Sequence, residues 1–246
     1  MRRAWYGLAV AVALLLPGTA MPQSMTHCRA RPELLDLGNP LKVARKSIAE
    51  RKQLRIIALG SSSTAGYGVS NPIFAYPAQL KMGLDKALTG VDVDVVNRGI
   101  GGQDVHEMAE RMRAEMESNP ASLVIWQTGT NATIRHMPLD EFEGWLRNGL
   151  TLGRSLGADF VLMNMQYVPA VVAEPDREAY EKIMASVAKE YGAGLFRRYD
   201  IMRGWYEDGM PYAQFVQLDG LHLNDFGQKC IGKLLTRAIL NSLTGP

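Results

Sequence analysis

From Leu54 onward the chain alternates short, nearly continuous apolar runs with longer stretches whose apolar residues recur every three or four positions. The runs predict strands at Leu54–Leu59, Val91–Val96, Leu123–Gln127, Phe160–Met165 and the short Gly194–Phe196. The stretches between and after them predict helices at Phe74–Leu88, Asp104–Glu117, Leu139–Leu156, Pro175–Tyr191 and Asp225–Leu243. Strands alternating with helices of this length imply a parallel sheet covered on both faces, and strands buried on both sides need no polar alternation. The expected fold class is α/β: a three-layer α/β/α sandwich on a five-stranded parallel sheet, with flavodoxin-like order 2-1-3-4-5. Met108, Met112 and Met116 stand four residues apart on one predicted helix and read as core.

The first twenty residues break the pattern. MRRAWYGLAVAVALLLPGTA has two arginines, an apolar run cut short by Pro17 and Gly18, and a small-residue end. That is the layout of a secretory signal peptide, too short for a comfortable membrane span. The expected organisation is a signal peptide over 1–20, a leader with one helix over 21–53, and the main domain over 54–246. The location is then periplasmic or secreted, with no stable membrane insertion after cleavage. The whole chain carries a formal charge of +2, and losing Arg2 and Arg3, with no acid among residues 1–20, brings it to zero. A neutral mature chain excludes nucleic acid as the expected partner. The basic cluster around Lys42, Arg45, Lys46 and Arg51 reads as the solvated face of the leader helix. In an exported protein, Cys28 and Cys230 favour one disulfide joining the two ends, with two unpaired buried thiols as the alternative.

Candidate chemistry starts at LGSSSTAG, residues 59–66, where the first strand ends in small hydroxyl-bearing residues. A phosphate cradle needs a lysine after its second glycine, whereas Gly66 is followed by Tyr67 and Gly68. A nucleophile is the other reading. A serine hydroxyl needs a base, and the base needs an orienting acid. Asp219 and His222, three residues apart in LDGLH, supply both. Of the four histidines only His222 has such a context, and no cluster implies a metal. NRGIGG, residues 97–102, leaves the second strand through glycines whose N–H groups can approach a ligand. TGTN, residues 128–131, leaves the third strand with an amide side chain. A backbone N–H and an asparagine amide are the donors an oxyanion hole uses. In the order 2-1-3-4-5 the first three strands are neighbours, so all these groups converge on the carboxyl rim.

These four segments resemble the four sequence blocks of the SGNH (GDSL-type) hydrolases, esterases, lipases and carbohydrate deacetylases, and the likeness runs from Leu54 to the terminal helix. The resemblance implies Ser62 as nucleophile, with Asp219 and His222 as supporting acid and base. It implies an oxyanion hole of Ser62, Gly102 and Asn131, with no metal or other cofactor. Ser61 and Ala132 stand where the family usually has aspartates, and Ser61 and Ser63 remain rival nucleophiles from sequence alone. The α/β-hydrolase pattern fits poorly, since residues 60–64 read GSSST rather than Gly-x-Ser-x-Gly. The expected function is an exported serine ester hydrolase removing short acyl groups, chiefly acetyl, from a polysaccharide or envelope glycan. A lysophospholipase or general esterase, an acyltransferase to a sugar hydroxyl, and a non-catalytic glycan-binding module on the same fold are the alternatives.

Overall fold

The computed structural model describes Met1 and residues 28–245, so the expected signal peptide after Met1, and His27, lie outside the described residues. Five strands, β1 (Gln53–Gly60), β2 (Asp92–Gly99), β3 (Leu123–Gln127), β4 (Asp159–Met163) and β5 (Gly194–Phe196), form one sheet. It is parallel throughout, in the order β2-β1-β3-β4-β5. The helices are α1 (Lys42–Arg51), α2 (Ser62–Ala65), α3 (Tyr76–Ala87), α4 (Val105–Ser118), α5 (Thr130–Ile134), α6 (Leu139–Ser155), α7 (Pro169–Val172), α8 (Arg177–Tyr191), α9 (Arg198–Glu207) and α10 (Asp225–Thr244). One layer holds α1, α3 and α10, with α10 packed on α3; the other holds α4, α6 and α8 in succession. The expected fold class is the observed one.

Burial on both faces explains why the strands read as apolar runs. All five residues of β3 are buried, including Trp126, whose indole N–H points at the Met108 sulfur. Met108, Met112 and Met116 are core, as their spacing requires. Helix ends follow local chemistry. Asp104 and Glu107 close a reciprocal capping box at the start of α4, and Asn224 caps α10.

Backbone pairing, not apolarity, sets the end of β2. It runs three residues past Val96, because its register with β1 continues to Gly60 opposite Gly99. Conversely, β4 stops at Met163, two residues before the apolar run ends. Helix α9 is not visible as a periodicity, since arginine, aspartate and glycine interrupt it; yet Tyr199, Ile201, Met202 and Trp205 are buried. The leader packs as part of the domain: Leu34, Leu35, Leu37 and Leu41 join the core, and the Leu195 N–H of β5 donates to the Leu37 carbonyl.

Cys28 and Cys230 are joined in a disulfide that ties the leader to α10 across 202 residues of sequence. In the chain-entropy view, closing so long a loop stabilises by up to roughly 5 kcal/mol, with 2–5 kcal/mol the usual range. Reduction, or a Cys28→Ser/Cys230→Ser pair, is therefore expected to lower the unfolding free energy by that order and the denaturation midpoint with it. Thiol labelling of the denatured, unreduced protein checks the bond, and two reactive thiols would contradict it.

Candidate active site

Strand β1 ends at Gly60, and the chain turns at once into α2. A side chain at Gly60 would put its Cβ 2.0 Å from Thr64 Oγ1 and 2.8 Å from Gln127 Oε1; at Gly99 it would meet the Ala65 nitrogen at 2.1 Å. Both strand ends must be glycine for α2 to seat against β1 and β2 this closely.

The turn also separates the three serines. Successive residues on a helix point about 100° apart. Ser61 is buried, and its N–H and hydroxyl both donate to Gln127 Oε1, at 3.0 and 3.1 Å. Ser63 is buried too, its Oγ accepting from Arg198 Nη1 at 2.8 Å. Ser62 alone turns to the rim, where its Oγ lies 2.9 Å from His222 Nε2. The other imidazole nitrogen, Nδ1, is 2.6 Å from Asp219 Oδ2. Asp219 holds this turn together, since its Oδ1 also accepts from the Leu221 and His222 N–H groups at 2.9 and 3.0 Å. Desolvation pushes the Asp219 carboxyl upward, but the His222 side chain and these two N–H donors outweigh it and leave the carboxyl below its ordinary range. An ionised Asp219 fixes Nδ1 as the protonated nitrogen and leaves Nε2 to accept from Ser62.

The loop after β2 reaches the same rim. A Cβ built on Gly101 would lie 4.0 Å from the Ser62 Cβ. Gly102 follows, and its carbonyl accepts from Arg135 Nη2 at 2.7 Å while Arg135 Nη1 binds Asp104 at 2.8 Å. Asn131, on α5, donates from Nδ2 to the Gln103 carbonyl at 2.8 Å, tying the β3 loop to the β2 loop. The five sequence-predicted residues therefore occupy adjoining segments that follow the carboxyl ends of β1, β2 and β3 and precede α10. No group of three or more His, Cys, Asp or Glu among the described residues could hold a metal.

Beneath the rim lies a polar network that the sequence reading missed. Gln127 Oε1 accepts from Ser61 and from Thr64 Oγ1, so it braces the turn where the family usually places an aspartate. Ala132, at the other position lacking the usual aspartate, is fully buried. Arg198 is fully buried and donates to the Asn164 carbonyl, Ser63 Oγ and Gln166 Oε1 at 3.0, 2.8 and 2.7 Å. Burial pulls its guanidinium down to about 10, so it stays charged at neutral pH. The Asn164 amide in turn donates to Glu181. The available signal was positional: Gln127, Asn164 and Arg198 each stand at or just past the end of an apolar strand.

The fold is that of the SGNH-type hydrolases. A model of the non-GDSL lipase-like family matches residues 27–245, and the chain belongs to that family. No curated protein sequence matches the chain. Solved structures share the fold at low identity. One described as TesA is 23% identical, with a TM-score of 0.64, covering 77% of this chain and 98% of its own. A two-domain esterase described as active on acetylated mannans, crystallised with mannopentaose, is 18% identical with a TM-score of 0.70, covering 88% of this chain. This chain spans 58% of that protein's length. An acetyl-xylooligosaccharide esterase from Geobacillus is 18% identical with a TM-score of 0.64, covering 78% of this chain and 95% of its own.

Proposed function

We propose that this carboxylic ester hydrolase acts outside the cytoplasm, removing short acyl groups, chiefly acetyl, from a neutral polysaccharide through an acyl-enzyme. The observation that carries the reading is the continuous line Ser62 Oγ, His222 Nε2, His222 Nδ1, Asp219 Oδ2, with steps of 2.9 and 2.6 Å. In the first step His222 Nε2 takes the Ser62 proton as Oγ attacks the ester carbonyl. Asp219 holds the imidazolium in place. The Ser62 and Gly102 N–H groups and the Asn131 amide would receive the developing oxyanion. His222 then protonates the departing alcohol, and a water, activated by the same nitrogen, releases the acid.

Two further observations support the location and the substrate. The Cys28–Cys230 disulfide fits an oxidising compartment, as does the signal-peptide layout of residues 1–20. No helix among the described residues is long and apolar enough to cross a membrane. The loops expected around the acyl group carry Arg135, His136, Glu174 and Arg177, which suit hydroxyls better than a long chain. The acetylated glycans named for two structural neighbours point the same way.

A graded series of esters tests the acyl group. Each buried CH₂ contributes about 0.8 kcal/mol, so an acyl groove would raise kcat/KM by roughly tenfold or more per two-carbon extension until filled. Without one, efficiency is expected to fall from two carbons to twelve. A maximum at eight carbons or beyond would replace the deacetylase reading with a lysophospholipase.

A further inference from the structure

We propose that the open cleft on the imidazole side of the triad, walled by Tyr67 and Leu218, is the subsite for the alcohol half of the substrate, and that it takes an uncharged sugar residue. The inference rests on the glycan-ester reading above and extends it to a location.

The cleft has a volume of about 840 Å³ and runs between the segment after α2, Tyr67 to Ser70, and the segments Gln217–Asp219 and Asn224–Phe226. Its walls are anchored. The Gln217 amide donates to the Gly68 carbonyl, and Asp225 accepts from the Ser70 N–H at 2.8 Å and from Ser70 Oγ at 2.5 Å. The shape therefore exists before any ligand arrives, which spares the ordering cost of forming it.

Its position assigns the half of the ester it can hold. The imidazole that takes the serine proton must later give it to the departing alkoxide, so the alcohol lies on the histidine side of the scissile bond. The Tyr67 ring sits 4.7 Å from the His222 ring, and the cleft opens beyond it. The carbonyl oxygen faces the other way, toward the oxyanion donors Gly102 and Asn131.

Its chemistry assigns the class. Two large apolar side chains are left in water at the mouth: Tyr67 is 65% exposed and Leu218 fully so. Neither serves the core. Between them the lining turns polar, with Ser70, Gln217, Asp219, Asn224 and Asp225. Apolar faces flanking hydroxyl, amide and carboxylate groups match a pyranose, whose C–H face can lie on a ring while its hydroxyls hydrogen-bond at the edge. Among the described residues the charged groups in the lining are the carboxylates Asp219, which faces His222, and Asp225. Two carboxylates disfavour a phosphate or a uronic acid in the same space.

The experiment compares kcat/KM for acetylated manno- and xylo-oligosaccharides with kcat/KM for p-nitrophenyl acetate, in the wild type and in Tyr67→Ala, Tyr67→Trp and Leu218→Ser. Because Tyr67 also touches His222, the readout is the ratio of the two substrates in each variant, which cancels damage common to both. The ratio is expected to drop about tenfold in Tyr67→Ala and about threefold in Leu218→Ser, and to be retained in Tyr67→Trp. Leu218 is fully exposed, so its variant tests the cleft even if Tyr67→Ala folds poorly. A wild type that turns over p-nitrophenyl acetate but none of the oligosaccharides overturns the glycan reading and the subsite with it. A wild type active on oligosaccharides whose ratio stays within twofold in both variants overturns the subsite alone. An equal drop for lysophosphatidylcholine in Tyr67→Ala overturns the uncharged-sugar assignment.

Discussion

Replacing Ser62 or His222 with alanine is expected to lower turnover by on the order of 10⁶, because nucleophile and base act as one unit and losing either removes the same step. Asp219→Asn should cost less, about 10⁴, since its main effect is to leave the imidazole in the wrong tautomer. Asn131→Ala should cost roughly 10²–10³, the value of one oxyanion donor, although its bond to the Gln103 carbonyl adds a positioning role. The neighbouring serines make the assignment sharp. Ser61 and Ser63 direct their hydroxyl groups at Gln127 and Arg198, so alanine at either position should weaken the support of the turn without removing the attacking oxygen. Single-turnover kinetics with an activated acetate ester, together with labelling by a serine-directed phosphonate, provide the measurement. An active Ser62→Ala beside an inactive Ser61→Ala or Ser63→Ala would reverse the reading.

The serine cluster also marks where legibility in sequence stops. Strand identity, strand order and the convergence of four loops were readable because burial on both faces and strand–helix alternation leave periodic traces. Asp219 and His222 were readable because a turn of three residues brings them together whatever the rest of the chain does. The choice among Ser61, Ser62 and Ser63 was not readable from the residues themselves, since it depends on where α2 starts to rotate. Nor was the network below them: Arg198 meets Ser63 across 135 residues and Gln127 meets Ser61 across 66. No local pattern encodes such pairings. Helix α9 escaped for a related reason, as its first residue is a buried arginine whose partners come from elsewhere in the chain.

One carboxyl in the same network is expected to contribute folding stability that falls as pH rises. Glu181 is only half-buried as a residue, but its Oε1 is sealed from solvent and has no hydrogen-bond partner, while its other oxygen accepts from Asn164. Desolvation pushes the carboxyl up to about 8; the Asn164 bond and the Arg198 charge oppose that shift, and Asp200 adds to it. The folded protein thus keeps a proton that the unfolded chain releases near pH 4.5. Where the native state binds more protons than the unfolded state, stability declines with pH, by about 1.4 kcal/mol per unit for one group. The contribution is complete below about pH 4.5 and disappears as pH climbs through about 8. Over that window the loss from this group amounts to roughly 3–5 kcal/mol. Glu181→Gln keeps the shape and removes the titration, so its stability relative to the wild type should rise by that order between pH 5 and pH 8.5. Urea unfolding of both proteins at the two pH values measures the difference directly. A gap between them that does not change with pH would show that Glu181 is ionised in the folded protein throughout, and would require Arg198 to have a charged partner after all.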